Sequence, residues 1–404
     1  MALEMLTGPD AGDLLEAAVS TAGGHLEDWR VTQVDHRGEV TTVAYQATVQ
    51  WPTGRTDDVL GATSLAAGDE PPQVPGTLTL SDGQNRVCVW RLPDDPGLPG
   101  LSTALSTEAL PGLLRSFGLD PQGLRTEVVS YRPKRRAVIR VSSAGGVLYA
   151  KVLPPADVEA LHRRHEMLYE AGVPVPHSLG WTDDGLLVLE NLPGTPLRRR
   201  LLSSNAAGSG EAGLPRPEEL ISVLDKFPPG VLGLNRRRPW SRRAPQYAEM
   251  IGRSLPTEAA RARQLADVVA AGLKGVPLGS DPTHGDFYEA QLTVDASGRV
   301  VGLLDVDTVG PGSRADDLAC ALAHCEALAL SSERHAARSY ALSRLWRPVF
   351  EQQVDALGLR LRTAGVLMSL ATGPHRVQRP DWEAATSRML DRIEEVLQGR
   401  PAPE

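Results

Sequence analysis

The first quarter of the chain alternates apolar and polar residues. VTQVDH at 31–36, TTVAYQATVQW at 41–51, VLGATSL at 59–65, TLTL at 77–80 and RVCVWRL at 86–92 follow this pattern, with Gly, Pro and Asp between them. A period of two is that of a strand with one buried face, and five such runs predict an antiparallel sheet. A short amphipathic helix is predicted ahead of them at 9–22, and the turn-rich PDDPGLPG at 93–100 marks a boundary.

A second block repeats the theme. After a helix predicted at 106–118 come LRTEVVSYR at 124–132, RAVIRVS at 136–142 and GVLYAKVL at 146–153. ADVEALHRRHEMLYEAG at 156–172 switches to helical spacing and stops at Gly172. VPVP then imposes extended chain, and GLLVLENL at 185–192 is a further strand. The run SSNAAGSGEAGLPRP at 203–217 has the composition of a mobile insert. Helices are predicted beyond it at 217–226, 244–253, 257–273, 317–330, 333–356, 360–371 and 381–398. Two short strands, QLTVD at 291–295 and VVGLLDVD at 300–307, interrupt them. The two strand blocks echo each other. Strand, Arg-containing turn, strand, turn, strand describes both 31–64 and 126–152, with Thr63 falling where the second copy has Lys151. A duplicated three-stranded unit accounts for this, and so does the general likeness of small meanders.

Length and composition narrow the class. At 404 residues the chain calls for two or three domains, and 41% hydrophobic with 23% charged residues is ordinary for a globular protein. A net charge of −8 argues against a nucleic-acid partner. The acidic MALEMLTGPDAGDLLEAA is unlike a signal peptide, and no apolar run is long enough to span a bilayer. With only Cys88, Cys320 and Cys325 there is no disulfide framework, so the expectation is a reduced, cytoplasmic protein without a membrane partner. Cys320 and His324 are four apart on a predicted helix and could share a metal, but no further ligand is near in sequence.

Candidate chemistry begins with Lys151, one of four lysines in the chain, set in a strand of Val, Leu, Tyr and Ala. A desolvated ammonium needs an anionic partner, and Glu159 and Glu166 follow on the next helix. HGDFYEAQL at 284–292 then places Asp286 in a loop with Gln291 five residues on. VVGLLDVD puts Asp305 at the end of an apolar strand, with Asp307 two further along on the same face. Two carboxylates and an amide oxygen suit Mg²⁺, and a remaining carboxylate can accept a proton from an alcohol. Strand Lys, helix Glu, loop Asp with an amide at +5 and a later Asp is the order of a protein kinase.

In that order the chain resembles the aminoglycoside phosphotransferase family, with its choline kinase-like and maltokinase-like relatives. The resemblance covers about 124–398 and rests on HGDFYEAQ at 284–291, LLDVDTVGPGSRADDLA at 303–319, VPVP at 173–176 and LLVLENLPGTPL at 186–197. It implies an α+β, protein-kinase-like bilobal fold, with an antiparallel β N-lobe and a mainly helical C-lobe. The expected division is an extra N-terminal β-rich cap domain at 1–105, the N-lobe and hinge at 106–192, and the C-lobe at 193–404. It implies ATP and Mg²⁺ as cofactors and a small-molecule hydroxyl acceptor. Asp286 would be the catalytic base, Gln291 and Asp305 the metal ligands, and Lys151 the contact to the α- and β-phosphates, supported by Glu159. The backbone around Glu190 to Leu192 would meet adenine, Asp317 would cap a helix starting at Leu318 and brace the loop, and His284 would be structural.

Three departures stand out. Gln291 replaces the family's Asn, RPKRRA at 132–137 replaces a Gly-rich loop so that Lys134, Arg135 or Arg136 would meet phosphate, and helix register leaves Glu166 open beside Glu159. A nucleotide-binding pseudokinase or scaffold is the alternative function these departures allow. The acceptor side is rich in arginine, in RRRPWSRR at 236–243 and at Arg334, Arg338, Arg344, Arg347, Arg360 and Arg362, where a polycationic aminoglycoside would need an acidic bowl. Together with the maltokinase-like N-terminal extension, this favours a sugar or other small polyol.

Overall fold

The computed structural model describes all residues except 1, 38–39, 67, 82, 84, 203–212, 332 and 404. Most of the insert expected at 203–217 therefore lies outside the described residues. Two compact units divide the chain. The first comprises Met1–Arg163, His177–Asn191 and Arg376–Gln378, and the second Arg164–Pro176, Leu192–His375 and Arg379–Glu404.

The first unit holds two five-stranded antiparallel sheets. Helices α1 (Ala2–Thr7) and α2 (Ala11–Thr21) precede β1 (His25–Arg37), β2 (Val40–Trp51), β3 (Gly54–Leu65), β4 (Thr77–Ser81) and β5 (Arg86–Arg91), paired in the order β1-β2-β3-β5-β4. Alternate residues of β2, among them Val43, Tyr45, Ala47 and Val49, pack with Leu6 and Leu15 of the helices into one core. Helices α3 (Gly100–Ala104) and α4 (Ala109–Ser116) lead to β6 (Arg125–Arg132), β7 (Arg136–Ser143) and β8 (Gly146–Val152). After α5 (Pro155–Glu170) come β9 (Ser178–Trp181), which the periodicity did not predict, and β10 (Leu186–Glu190), giving the order β6-β7-β8-β10-β9.

The two sheets thus share one strand order, and their registers correspond. Two residues beyond the first hairpin, Thr42 pairs with Thr63, which pairs with Cys88 of β5. At the same step Val138 pairs with Lys151, which pairs with Leu187 of β10. Thr63 is buried and its hydroxyl meets that of Thr42 at 2.8 Å, so the first sheet carries a neutral polar pair where the second carries an ammonium. A polar chain joins the sheets: Trp90 Nε1 donates to the Tyr131 hydroxyl (2.7 Å), which donates to Asp95 (2.7 Å), which also accepts from the Lys134 amide (2.8 Å). Lys134 takes a left-handed conformation there, with φ 59°.

The second unit is mainly helical: α6 (Leu197–Leu202), α7 (Pro217–Asp225), α8 (Ala244–Ser254), α9 (Ala259–Gly272), α10 (Arg314–Ser331), α11 (Glu333–Gln353), α12 (Ala356–Leu370), α13 (Gly373–Arg376, whose last residue is counted with the first unit) and α14 (Trp382–Leu397). Ile251, Ala266, Leu367, Leu390 and Cys320 belong to its main core. Short strands cross it: β11 (Thr195–Pro196), β13 (Leu292–Val294) and β14 (Val300–Leu303) form one sheet, and β12 (Asp281–Thr283) pairs with β15 (Gly310–Gly312). No helix of the described residues is long and apolar enough to cross a membrane.

Candidate active site

The β12–β15 ladder and the β13–β14 ladder flank two loops, 284–291 and 304–309. Their first anchor is Asp317, buried at 1% exposure. Its carboxylate accepts the His284 amide at one oxygen and the Gly285 amide at the other, both at 2.8 Å. Asp317 does not cap a helix starting at Leu318. Helix α10 begins at Arg314, so Asp317 lies in its first turn and its side chain is spent on the loop. Burial pushes this carboxyl up to about 7, against the two amide hydrogen bonds that favour its ionised form.

His284 is fully buried and supplies the second anchor. Its Nε2 lies 3.0 Å from the Leu304 carbonyl. A carbonyl only accepts, so the proton sits on Nε2. Burial holds the ring's pKa below the usual histidine value, which keeps it neutral. Thr308 closes the set by donating to the His284 carbonyl at 2.7 Å. His284, two residues before Asp286, is therefore tied to Leu304, the residue before Asp305. Gly285, with φ 79°, makes the close approach possible: a Cβ there would stand 2.6 Å from the Thr308 carbonyl oxygen. Gly285→Ala is expected to destabilise the chain by about 1–3 kcal/mol and to lower activity. Thermal melting and steady-state rates check this, and a variant with wild-type values for both would show that the loops do not depend on this contact.

Gln291 ends a short 3₁₀ turn, Glu289–Gln291, and is buried. Its backbone carbonyl accepts from the Leu304 amide at 2.7 Å, which carries the β13–β14 pairing up to the residue before Asp305. Asp305 is left-handed (φ 56°, ψ 58°), and a 3₁₀ turn Val306–Thr308 follows. The expected strand through Asp307 thus stops at Leu303, and Asp305 and Asp307 do not share a strand face. A left-handed carboxylate residue is an uncommon conformation that the surroundings must hold. Arg164 of α5 contributes to that hold, its guanidinium donating to the carbonyls of Val306 (3.2 Å) and Asp307 (2.6 Å).

Around Asp286 lie groups that sequence reasoning did not bring together. The Cys320 sulfur is 4.0 Å from an Asp286 oxygen, and the His324 ring stacks on Tyr288 at 3.8 Å. Glu289 is fully buried and paired with Arg198 at 2.7 Å, while Arg198 also lies over the Tyr288 ring at 5.6 Å. The Arg237 guanidinium stacks on Trp240 at 4.2 Å. Burial lowers its pKa, and the negative charge of Asp286 opposes that shift.

In the first unit, Lys151 is buried in the middle strand of its sheet. One expectation there needs correction. Glu159, expected to support Lys151, does not face the sheet. It is exposed and paired with Arg163, one turn on. The buried face of α5 is Val158, Leu161, His165 and Leu168. Glu166 lies on the same helix, past the point where the chain enters the second unit. The Arg135 guanidinium, expected to meet phosphate, is paired with Asp35 of β1 at 3.1 Å. The chain passes between units after Asn191, within the Glu190 to Leu192 stretch expected to be a hinge.

The family model for the phosphotransferase enzyme family matches residues 131–349, more than half of the chain. The chain belongs to that family. It is thus a phosphotransferase with an alcohol group as acceptor. An uncharacterized protein of Deinococcus radiodurans is 29% identical over 249 residues, 55% of this chain and 68% of the relative. Among solved structures, aminoglycoside phosphotransferase APH(4)-Ia is 14% identical with a TM-score of 0.50, over 72% of this phosphotransferase and 98% of that chain. A ternary complex of a thermostable mutant of the same enzyme with AMP-PNP and hygromycin B is 15% identical with a TM-score of 0.50, over 72% and 99% of the two chains. At such identities the likeness establishes the fold of this phosphotransferase and nothing of its acceptor.

Proposed function

We propose that this phosphotransferase moves the γ-phosphoryl group of ATP to a hydroxyl of a sugar or similar small polyol. The observation that carries the reading is the double anchor on the two loops: Asp317 on the amides of His284 and Gly285, and His284 on the Leu304 carbonyl. It fixes Asp286 and Asp305 in one rigid frame, as transfer chemistry that relies on positioning requires. Asp286 accepts the proton of the acceptor hydroxyl as its oxygen attacks the γ-phosphorus, and ADP leaves. Gln291 and Asp305 offer an amide oxygen and a carboxylate from hydrogen-bonded neighbouring segments, a hard-oxygen set that fits Mg²⁺. Bound there, Mg²⁺ would neutralise charge on the phosphates. Lys151 contacts the α- and β-phosphates, and the backbone from Glu190 to Leu192 meets adenine. Complexes with AMP-PNP in the related fold support the choice of nucleotide.

The acceptor follows from charge. Arg237 stands within electrostatic reach of Asp286, and Arg198 flanks the loop at Tyr288. A polycation approaching Asp286 is repelled by the Arg237 guanidinium, whereas a neutral or anionic polyol is not. A panel of polyols, sugars and aminoglycosides incubated with labelled ATP tests this. Label transfer to a sugar or polyol is expected, and label transfer to aminoglycosides alone would overturn the acceptor assignment.

A further inference from the structure

We propose that Asp286, Cys320 and His324 form a site for a thiophilic divalent cation of the Zn²⁺ type, distinct from the Mg²⁺ ligands, through which such an ion shuts off phosphoryl transfer. The ligand atoms of these three side chains all lie within 4.8 Å of one another. Cys320 and His324 are one turn apart on α10 and face the same way, and the loop anchored by Asp317 delivers Asp286 to them. Sulfur, imidazole nitrogen and carboxylate oxygen are the donors Zn²⁺ prefers. Three protein ligands leave a fourth tetrahedral position for water. Mg²⁺, which requires oxygen donors, is a poor competitor for this set.

The surroundings support the assignment. His324 is held neutral by burial and by Arg198, with its pKa lowered to about 3, so a ring lone pair is free for a metal. Stacking on Tyr288 fixes the plane of the ring. The opposing charges are Arg237, beside Asp286 and Cys320, and Arg198, beside His324. On binding, the Cys320 thiol gives its proton to solvent and the sulfur–metal bond forms, so thiolate and carboxylate together balance the dication. An Asp286 oxygen bonded to metal is no longer available to take the proton of an acceptor hydroxyl. The inhibitory consequence rests on Asp286 being the base, whereas the binding site does not.

Co²⁺ titrated into the full-length chain tests the site without reference to activity. One Co²⁺ per chain is expected, with a near-ultraviolet thiolate-to-metal charge-transfer band that Zn²⁺ abolishes by displacement. Cys320→Ser should remove the band, and His324→Gln should weaken binding about 10–100-fold. No band, or a band that survives Cys320→Ser, would overturn the site. In the second arm, phosphorylation is measured in excess Mg²⁺ with one equivalent of Zn²⁺. Wild type should lose activity and Cys320→Ser should keep it, and a wild type that stays active with the metal bound would overturn the inhibition. A chain that binds Co²⁺ through Cys320 yet never transfers phosphate leaves the site standing and removes the proposed function instead.

Discussion

Asp317→Ala is expected to lower the stability of the chain by about 2–4 kcal/mol and to abolish measurable activity. Two backbone amides, those of His284 and Gly285, lose their acceptor in a buried setting, and each unsatisfied donor costs about 1–3 kcal/mol. Removal of a buried carboxyl returns part of that cost. Without Asp317, the start of the loop that carries Asp286 relies on the His284–Leu304 and Thr308 contacts. Denaturant unfolding measures the first effect and steady-state kinetics the second. A variant as stable and as active as wild type would show that the anchor is dispensable. The same residue sets a pH dependence. Its folded-state pKa is raised to about 7, above the value near 3.9 of an unfolded aspartate. Between those two values the folded chain holds a proton that the unfolded chain has released. The associated stability is complete below about pH 4 and is lost as pH rises toward 7. Asp317→Asn should flatten this slope, and equal slopes in the two proteins would contradict it.

Asp286→Asn is expected to reduce kcat by about 10²–10⁴-fold while leaving KM for ATP near its wild-type value. The amide has nearly the volume of the carboxylate and keeps a carbonyl oxygen beside Cys320, so the loop should hold its shape. It cannot accept a proton from the acceptor hydroxyl. A fall confined to kcat is the signature of a group that acts in the transition state. A matched rise in KM for ATP would place Asp286 among the nucleotide contacts instead.

Much of the architecture was legible because one face of each sheet is buried. In 41–51 the alternating Thr41, Val43, Tyr45, Ala47 and Val49 of β2 are all buried. β11, β12 and β15 span two or three residues each, too few for a period to show. The register of α5 is masked in the sequence because a histidine sits on its buried side: His165 is 2% exposed and satisfied by the Pro176 carbonyl, 2.9 Å away. Counted as polar, it blurs the apolar stripe and lets Glu159 look inward. Arg135 found its partner a hundred residues upstream in Asp35, a contact that only the folded chain defines. The order of Lys151, Asp286, Gln291 and Asp305 was visible as a motif, but the left-handed turn at Asp305 and the Arg164 grip on the loop after it were not. The third neighbour of Cys320 and His324 was likewise hidden, since Asp286 lies more than thirty residues away in sequence.

Transfer of phosphate from ATP to an alcohol through Asp286 is measured directly by phosphorus NMR of wild type and Asp286→Asn, each incubated with ATP, Mg²⁺ and a pooled set of sugars and polyols. ADP and a new phosphomonoester are expected with wild type, and neither at a comparable rate with the variant. Equal signals from the two proteins, or none from wild type with any alcohol supplied, would contradict it.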